Sequence, residues 1–157
     1  MTFHRLQRGG SSRSPVEPQD IADETSGDAD VLVVENNPGD VRLLEEAFTD
    51  LDADVLCLRE SRKMPGLLAQ IRRGEVSSPA LVLSDLNMPK IDGFDILAQI
   101  KSSDELRAIP VVIFSGSTLK KDIARAYELG ANAYVSKPAD VDEYLLTLEA
   151  LSDFWLQ

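Results

Sequence analysis

Five short apolar runs alternate with five stretches of helical periodicity between Val31 and Leu151, and this alternation constrains the fold more than any other feature of the chain. Val31-Leu32-Val33-Val34 is a β-branched run that suits a buried strand. Asn37-Pro38-Gly39-Asp40 then opens a helix: Asn37 fits the N-cap, Pro38 the first helical position, and Asp40 the first turn, where the helix dipole favours an acid. Val41, Leu44, Ala47, Phe48 and Leu51 follow at helical spacing. Val55 to Leu58 predicts a second strand, and Met64, Leu67, Leu68 and Ile71 a second helix that breaks near Gly74. Leu81-Val82-Leu83-Ser84-Asp85 is too short for a buried helix and reads as a central strand ending in a carboxylate, followed by Leu86-Asn87-Met88-Pro89. The third helix turns Phe94, Leu97 and Ile100 inward and stops before Ser102-Ser103. Pro110-Val111-Val112-Ile113-Phe114 is the fourth strand, and its helix carries Ile123, Ala126, Tyr127 and Leu129 up to a Gly130 cap. Ala133-Tyr134-Val135 and a helix bearing Val141, Tyr144, Leu145, Leu148 and Leu151 complete the series.

Strands and helices that alternate through short loops build a doubly wound parallel sheet covered on both faces. The expected architecture is α/β and flavodoxin-like: a single domain over residues 31–156 with five parallel strands in the order 2-1-3-4-5. A chain of 157 residues has room for one such domain and no second. Residues 1–30 are rich in Ser, Gly, Pro and charge, with almost nothing apolar after Leu6, and are read as a disordered tail. The apolar Phe154-Trp155-Leu156 at the end of the last helix is expected to cover the core rather than form a dimer patch, because Trp155 lacks a wider apolar neighbourhood.

Composition removes several functional classes. A net charge of −11 opposes non-specific nucleic-acid binding, which needs Lys and Arg against phosphates. The one histidine, His4, lies in the tail, so a His-based metal site, a Ser-His relay or a His base is excluded. The one cysteine, Cys57, is flanked by Leu56 and Leu58 and reads as a reduced, buried thiol. No apolar run approaches the ~20 residues a membrane span needs, and the N-terminus has no apolar signal region, which makes the cytoplasm the expected compartment.

In a parallel sheet all the carboxyl ends of the strands share one edge, where ligands bind. The first strand ends there in Glu35-Asn36, the third in Ser84-Asp85, the fourth in Ser115-Gly116 and the fifth in Ser136-Lys137-Pro138. Singly, each residue has a structural reading: Asp85 as a helix N-cap or turn residue, Ser115 as a turn residue, Lys137 as a surface lysine. Together they suit phosphoryl transfer onto a carboxylate. Asp85 is the candidate nucleophile, because Asp and Glu form acyl phosphates. Glu35 and Asn36 offer oxygens to Mg²⁺, a hard ion that takes few protein ligands. Lys137 supplies a compact positive charge for a phosphate oxygen, and Ser115 a hydroxyl donor.

These segments resemble the receiver domain of two-component response regulators. Val33-Val34-Glu35-Asn36-Asn37-Pro38 is similar to the acidic-pair motif, Ser84-Asp85-Leu86-Asn87-Met88-Pro89 to the phosphoacceptor motif, and Tyr134-Val135-Ser136-Lys137-Pro138 to the lysine-proline motif. The run from Glu35 to Leu43 resembles the small stand-alone receivers, including those paired with phytochrome-type kinases. The resemblance implies that Asp85 takes phosphate from a sensor histidine kinase, and that Glu35, Asn36, Asp85 and the backbone carbonyl of Asn87 hold Mg²⁺. It further implies that Lys137 contacts the phosphate, that Ser115 moves toward it on activation, and that the Tyr134 ring then turns inward as the switch. The domain is expected to be a signalling phosphoacceptor that assists its own phosphoryl transfer, not an enzyme.

Asn36 departs from the pattern, in which the second acidic residue is usually an aspartate. A carboxamide offers one oxygen and no charge; disturbing even outlying groups around a metal costs roughly 10–100-fold in affinity, so weakened Mg²⁺ binding is expected. Either Asp85 is phosphorylated with altered metal dependence, or the domain is a phosphorylation-independent pseudo-receiver that acts as a binding module. A phosphatase would place a second acid where Asn87 stands, and a nucleotide-binding fold would need a Gly-rich loop where Glu35-Asn36-Asn37 stands. Too little chain follows Lys137 for a DNA-binding domain, so output is expected through an unidentified downstream protein, from a monomer or homodimer. The surface around the fourth strand, fourth helix and fifth strand is expected to carry the change, and the Asn87 and Ser117 side chains stand where they can guide a hydrolytic water.

Overall fold

β-Branched and leucine-rich runs with no polar alternation are stable only where both faces of a strand are covered, and the chain is built around four such strands. The computed structural model describes residues 3–6 and 30–156. Its strands are β1 (Phe3–Leu6), β2 (Val31–Val34), β3 (Val55–Leu58), β4 (Leu81–Ser84), β5 (Val111–Ser115) and β6 (Ala133–Ser136). Its α-helices are α1 (Pro38–Asp50), α2 (Met64–Arg72), α3 (Gly93–Lys101), α4 (Lys120–Glu128) and α5 (Val141–Trp155). The sheet order is β1-β3-β2-β4-β5-β6. From β2 onward all neighbours are parallel, which is the 2-1-3-4-5 order expected of a doubly wound sheet.

Successive strand residues face opposite sides of the sheet, so each strand feeds two cores. Leu32 and Val34 of β2 join Met64, Leu67 and Leu68 of α2 and Ile96, Leu97 and Ile100 of α3 on one face. Val31 and Val33 join Leu44 and Phe48 of α1 and Tyr144 and Leu148 of α5 on the other. Cys57 is a buried free thiol whose pKa burial pushes up, as an inert core cysteine requires. Helix starts follow local chemistry: the Asn37 side chain accepts the Asp40 N–H with Pro38 at the first position, and Asp92 and Asp95 form a reciprocal capping box for α3. Gly130, at φ 102°, ends α4 in the left-handed region that glycine enters freely.

Three expectations need correction. The tail was expected to be disordered throughout residues 1–30, but Phe3–Leu6 forms β1, antiparallel to β3 with Phe3 opposite Leu58 and Leu6 opposite Val55. An open edge of unpaired backbone groups recruits even a short segment with a modest strand pattern. Residues 7–29 of that predicted tail lie outside the described residues. Tyr127 and Val141, counted in the apolar patterns of the last two helices, are 49% and 51% exposed, because β6 lies at the edge of the described sheet and gives α4 and α5 only part of a face to cover. Trp155 and Leu156 do pack against the core, but Phe154 stands 69% exposed with its ring edge-on to Trp155.

Candidate functional site

β2, β4 and β6 each deliver one charged side chain to the carboxyl edge of the sheet. The strand ladder continues one residue past β2 and β4: the Glu35 N–H donates to the Leu58 carbonyl at 3.1 Å and the Asp85 N–H to the Val34 carbonyl at 3.0 Å. Lys137 is held the same way, its N–H donating to the Ser115 carbonyl at 2.8 Å. The backbones are therefore fixed by the sheet while the side chains project beyond it.

Glu35 and Asp85 are both buried, at 3% and 9% exposure. Asp85 Oδ1 accepts the Leu86 N–H at 2.7 Å, and the Ser84 hydroxyl donates to the Asp85 carbonyl at 2.8 Å. Glu35 Oε2 accepts the Asn37 N–H at 3.2 Å. Lys137 Nζ lies 2.6 Å from Glu35 Oε1, 3.1 Å from Asp40 Oδ2 and 3.5 Å from Asp85 Oδ2. Asp40 Oδ1 in turn accepts the Tyr144 hydroxyl at 2.7 Å.

Burial, then the Asp85 charge, push the Glu35 carboxyl up to about 7, with Lys137 pulling in the opposite direction. Burial would lower Lys137, but the carboxylates of Glu35, Asp85 and Asp40 outweigh it and hold the ammonium above its ordinary value. Burial, followed by Asp40, raises the Tyr144 phenol, which keeps its proton and donates it. Carboxylates outnumber the single ammonium: Glu35, Asp85 and Asp40 all face Lys137. That excess, presented by hard oxygen donors, fits a small divalent cation such as Mg²⁺.

Among the sequence-predicted residues, Glu35, Asp85 and Lys137 are brought together. Ser115 is fully buried at the end of β5, and its hydroxyl oxygen accepts the Ser117 N–H at 3.2 Å. Tyr134 is half-buried on β6 and donates its hydroxyl to the Ser117 carbonyl at 2.8 Å. Asn87 is exposed on the loop after Asp85, and Asn36 is exposed, lining a pocket of about 260 Å³ with Arg59, Arg62 and Lys90. No group of three or more His, Cys, Asp or Glu side chains is gathered as a metal centre among the described residues. Asp40 and Tyr144 belong to the site although the sequence marked one as a helix-dipole residue and the other as core. Those roles have the same sequence signal, and only the fold shows that the first turn of α1 and the buried face of α5 meet at Lys137.

The family model for the response regulator receiver domain matches residues 31–149. The probable methanogenesis regulatory protein FilR2 of Methanothrix harundinacea is 38% identical over 128 residues, covering 80% of this chain and 83% of its own. Response regulator Rcp1 of Synechocystis is 33% identical over 140 residues, 87% of this chain and 95% of its own. Among solved structures, the phosphorylated cyanobacterial phytochrome response regulator RcpA superposes with a TM-score of 0.74 at 35% identity, covering 81% of this chain and 93% of that one. The Mn²⁺-bound form of Rcp1 superposes with a TM-score of 0.74 at 33% identity, covering 81% and 94%. A five-stranded parallel sheet, a buried carboxylate pair at its edge and a match spanning the folded region agree: the chain belongs to the response regulator receiver domain family of two-component signalling.

Proposed function

We propose that Asp85 accepts a phosphoryl group from a histidine kinase and that the domain signals the change through protein contact. The observation that carries this reading is the pairing of a strand-end carboxylate, half-committed to one backbone N–H, with an ammonium 3.5 Å from its other oxygen. Oδ1 is occupied by the Leu86 N–H, which orients the carboxylate and leaves Oδ2 for phosphorus. In the transfer, a carboxylate oxygen forms the new P–O bond, the P–N bond to the kinase histidine breaks, and the imidazole nitrogen keeps the electron pair. Lys137 balances charge on the phosphoryl oxygens, and the sheet fixes the backbones of both residues so that only the side chains have to adjust. Glu35, Asp85 and the Asn87 carbonyl would hold Mg²⁺, with the Asn36 carboxamide beside them; the ion supplies charge neutralisation for the transferring group.

A chain of contacts supports output through the β5, α4 and β6 face. Ser115 accepts from Ser117, whose carbonyl accepts the Tyr134 hydroxyl, and Tyr127 accepts the Tyr134 N–H at 3.0 Å. Leu119 and Tyr127, at the start of α4 and within it, are exposed apolar side chains on this side, suited to a partner protein. The similarity to the cyanobacterial phytochrome response regulator RcpA makes a phytochrome-type kinase the first partner to test.

The exposed Asn36 favours a second reading, a pseudo-receiver that binds its partner without phosphate. A Mg²⁺ titration with acetyl phosphate or beryllofluoride separates the two. Labelling of the native chain that Asp85→Asn abolishes is expected, with Asn36→Asp lowering the Mg²⁺ requirement by about 10–100-fold. A native chain that stays unlabelled while Asn36→Asp is labelled establishes the pseudo-receiver.

A further inference from the structure

We propose that Asp40 is a positioning residue that restrains Lys137 in the resting domain, with Tyr144 as its anchor. The inference rests on the reading of Asp85 as phosphoacceptor. Both Asp40 oxygens are committed: Oδ2 to the Lys137 ammonium at 3.1 Å and Oδ1 to the Tyr144 hydroxyl at 2.7 Å. Tyr144 is itself immobilised, 3% exposed, with its ring edge-on to Phe114 at a centroid distance of 5.1 Å. Phe114 is the residue before Ser115, so the tether runs from Lys137 through α1 and α5 back to the strand that carries the site hydroxyl.

The lysine rests closer to Glu35 and Asp40 than to Asp85. To contact a phosphoryl group on Asp85 it must weaken at least one of those bonds, so Asp40 competes with the phosphoryl oxygens for the same ammonium. A third carboxylate thus stands on the lysine side of the site, while the neutral Asn36 occupies the metal side. Moving the lysine also frees Asp40 from one of its two bonds, which carries the event to α5 through Tyr144. A residue serving the helix dipole alone would need neither bond.

Two measurements on the full chain test this. The first is the NMR order parameter of the Lys137 ¹⁵Nζ ammonium without metal or phosphate. The second is beryllofluoride affinity at saturating Mg²⁺. Asp40→Asn and Tyr144→Phe are both expected to loosen the ammonium. Asp40→Asn is expected to tighten beryllofluoride about 3–10-fold, the range of one competing hydrogen bond removed. Adding Tyr144→Phe to Asp40→Asn is expected to change neither quantity further, since the hydroxyl acts through the carboxylate. An ammonium equally ordered in all variants overturns the restraint whether or not Asp85 is phosphorylated. A loosened ammonium with unchanged or weaker beryllofluoride binding overturns the competition while leaving the phosphoacceptor intact. A loosened ammonium in a protein that binds no beryllofluoride in any variant overturns the phosphoacceptor reading and this inference with it.

Discussion

At the scale of single residues the site is governed by one cation among several acids. Glu35 ordinarily titrates near 4.5 and is pushed up to about 7 by burial and by Asp85. A folded state that binds this proton more tightly than the unfolded chain gains stability that is complete below pH 4.5 and is lost as pH rises through about 7. The metal-free protein is therefore expected to lose up to about 3 kcal/mol from this group between pH 4.5 and 8, read as a falling urea midpoint in EDTA. Lys137 works in a different window, since its raised value matters only in alkali. Lys137→Met sharpens the contrast. It removes the charge that pulls Glu35 down, so its stability cost is expected to be smaller at pH 5, where Glu35 is neutral and only the contacts to Asp40 and Asp85 are lost, than at pH 8, where the buried Glu35 carboxylate is left unpaired as well and the cost reaches about 3 kcal/mol or more.

At the scale of elements, α3 is positioned by what it lacks. A Cβ on Gly93 would lie 2.5 Å from the Asp85 carbonyl oxygen and 2.9 Å from Leu86 Cα, both backbone atoms that cannot swing aside. Gly93→Ala is expected to cost about 1–3 kcal/mol and to weaken beryllofluoride binding, because the loop that orients Asp85 must move to accept the methyl group. Restored wild-type affinity in a folded Gly93→Ala protein would refute this. The elements themselves were largely legible: β-branched runs without polar alternation identified β2 to β5, and Asn37-Pro38 and Gly130 marked helix ends by chemistry that acts within a few residues. What the sequence hid depends on neighbours. Phe3–Leu6 has no marked strand pattern and becomes β1 because β3 offers an unpaired edge. Tyr127 has helical spacing but faces out, because among the described residues no strand lies beyond β6 to extend the floor under α4. Asp85 and Lys137 were legible because strand ends need no tertiary knowledge beyond the parallel sheet, whereas the Asp40–Tyr144 bond links two helices whose meeting no local pattern encodes.

At the scale of the whole molecule, β1 seals one edge of the sheet, leaving β6 as the other. A chain beginning at residue 30 is expected to keep the parallel sheet and to lose about 1–3 kcal/mol, the order of a few net backbone hydrogen bonds. Its bared β3 is expected to promote concentration-dependent association, measured by sedimentation, and a truncated chain as stable and as monodisperse as the full one would show that β1 contributes nothing. The candidate site has a further consequence for how the molecule is made. Lys137 reaches Glu35 across 102 residues of sequence and Asp40 across 97, and Tyr144 reaches Asp40 across 104. Loop-closure entropy on that span has to be met before any of these bonds forms. A growing chain whose β6 has not emerged holds Glu35 and Asp85 without the Lys137 ammonium, so the acidic corner is completed only when β6 docks. The ion pairs of Lys137 then form only once β6 has docked, and they act as a seal on the completed sheet edge.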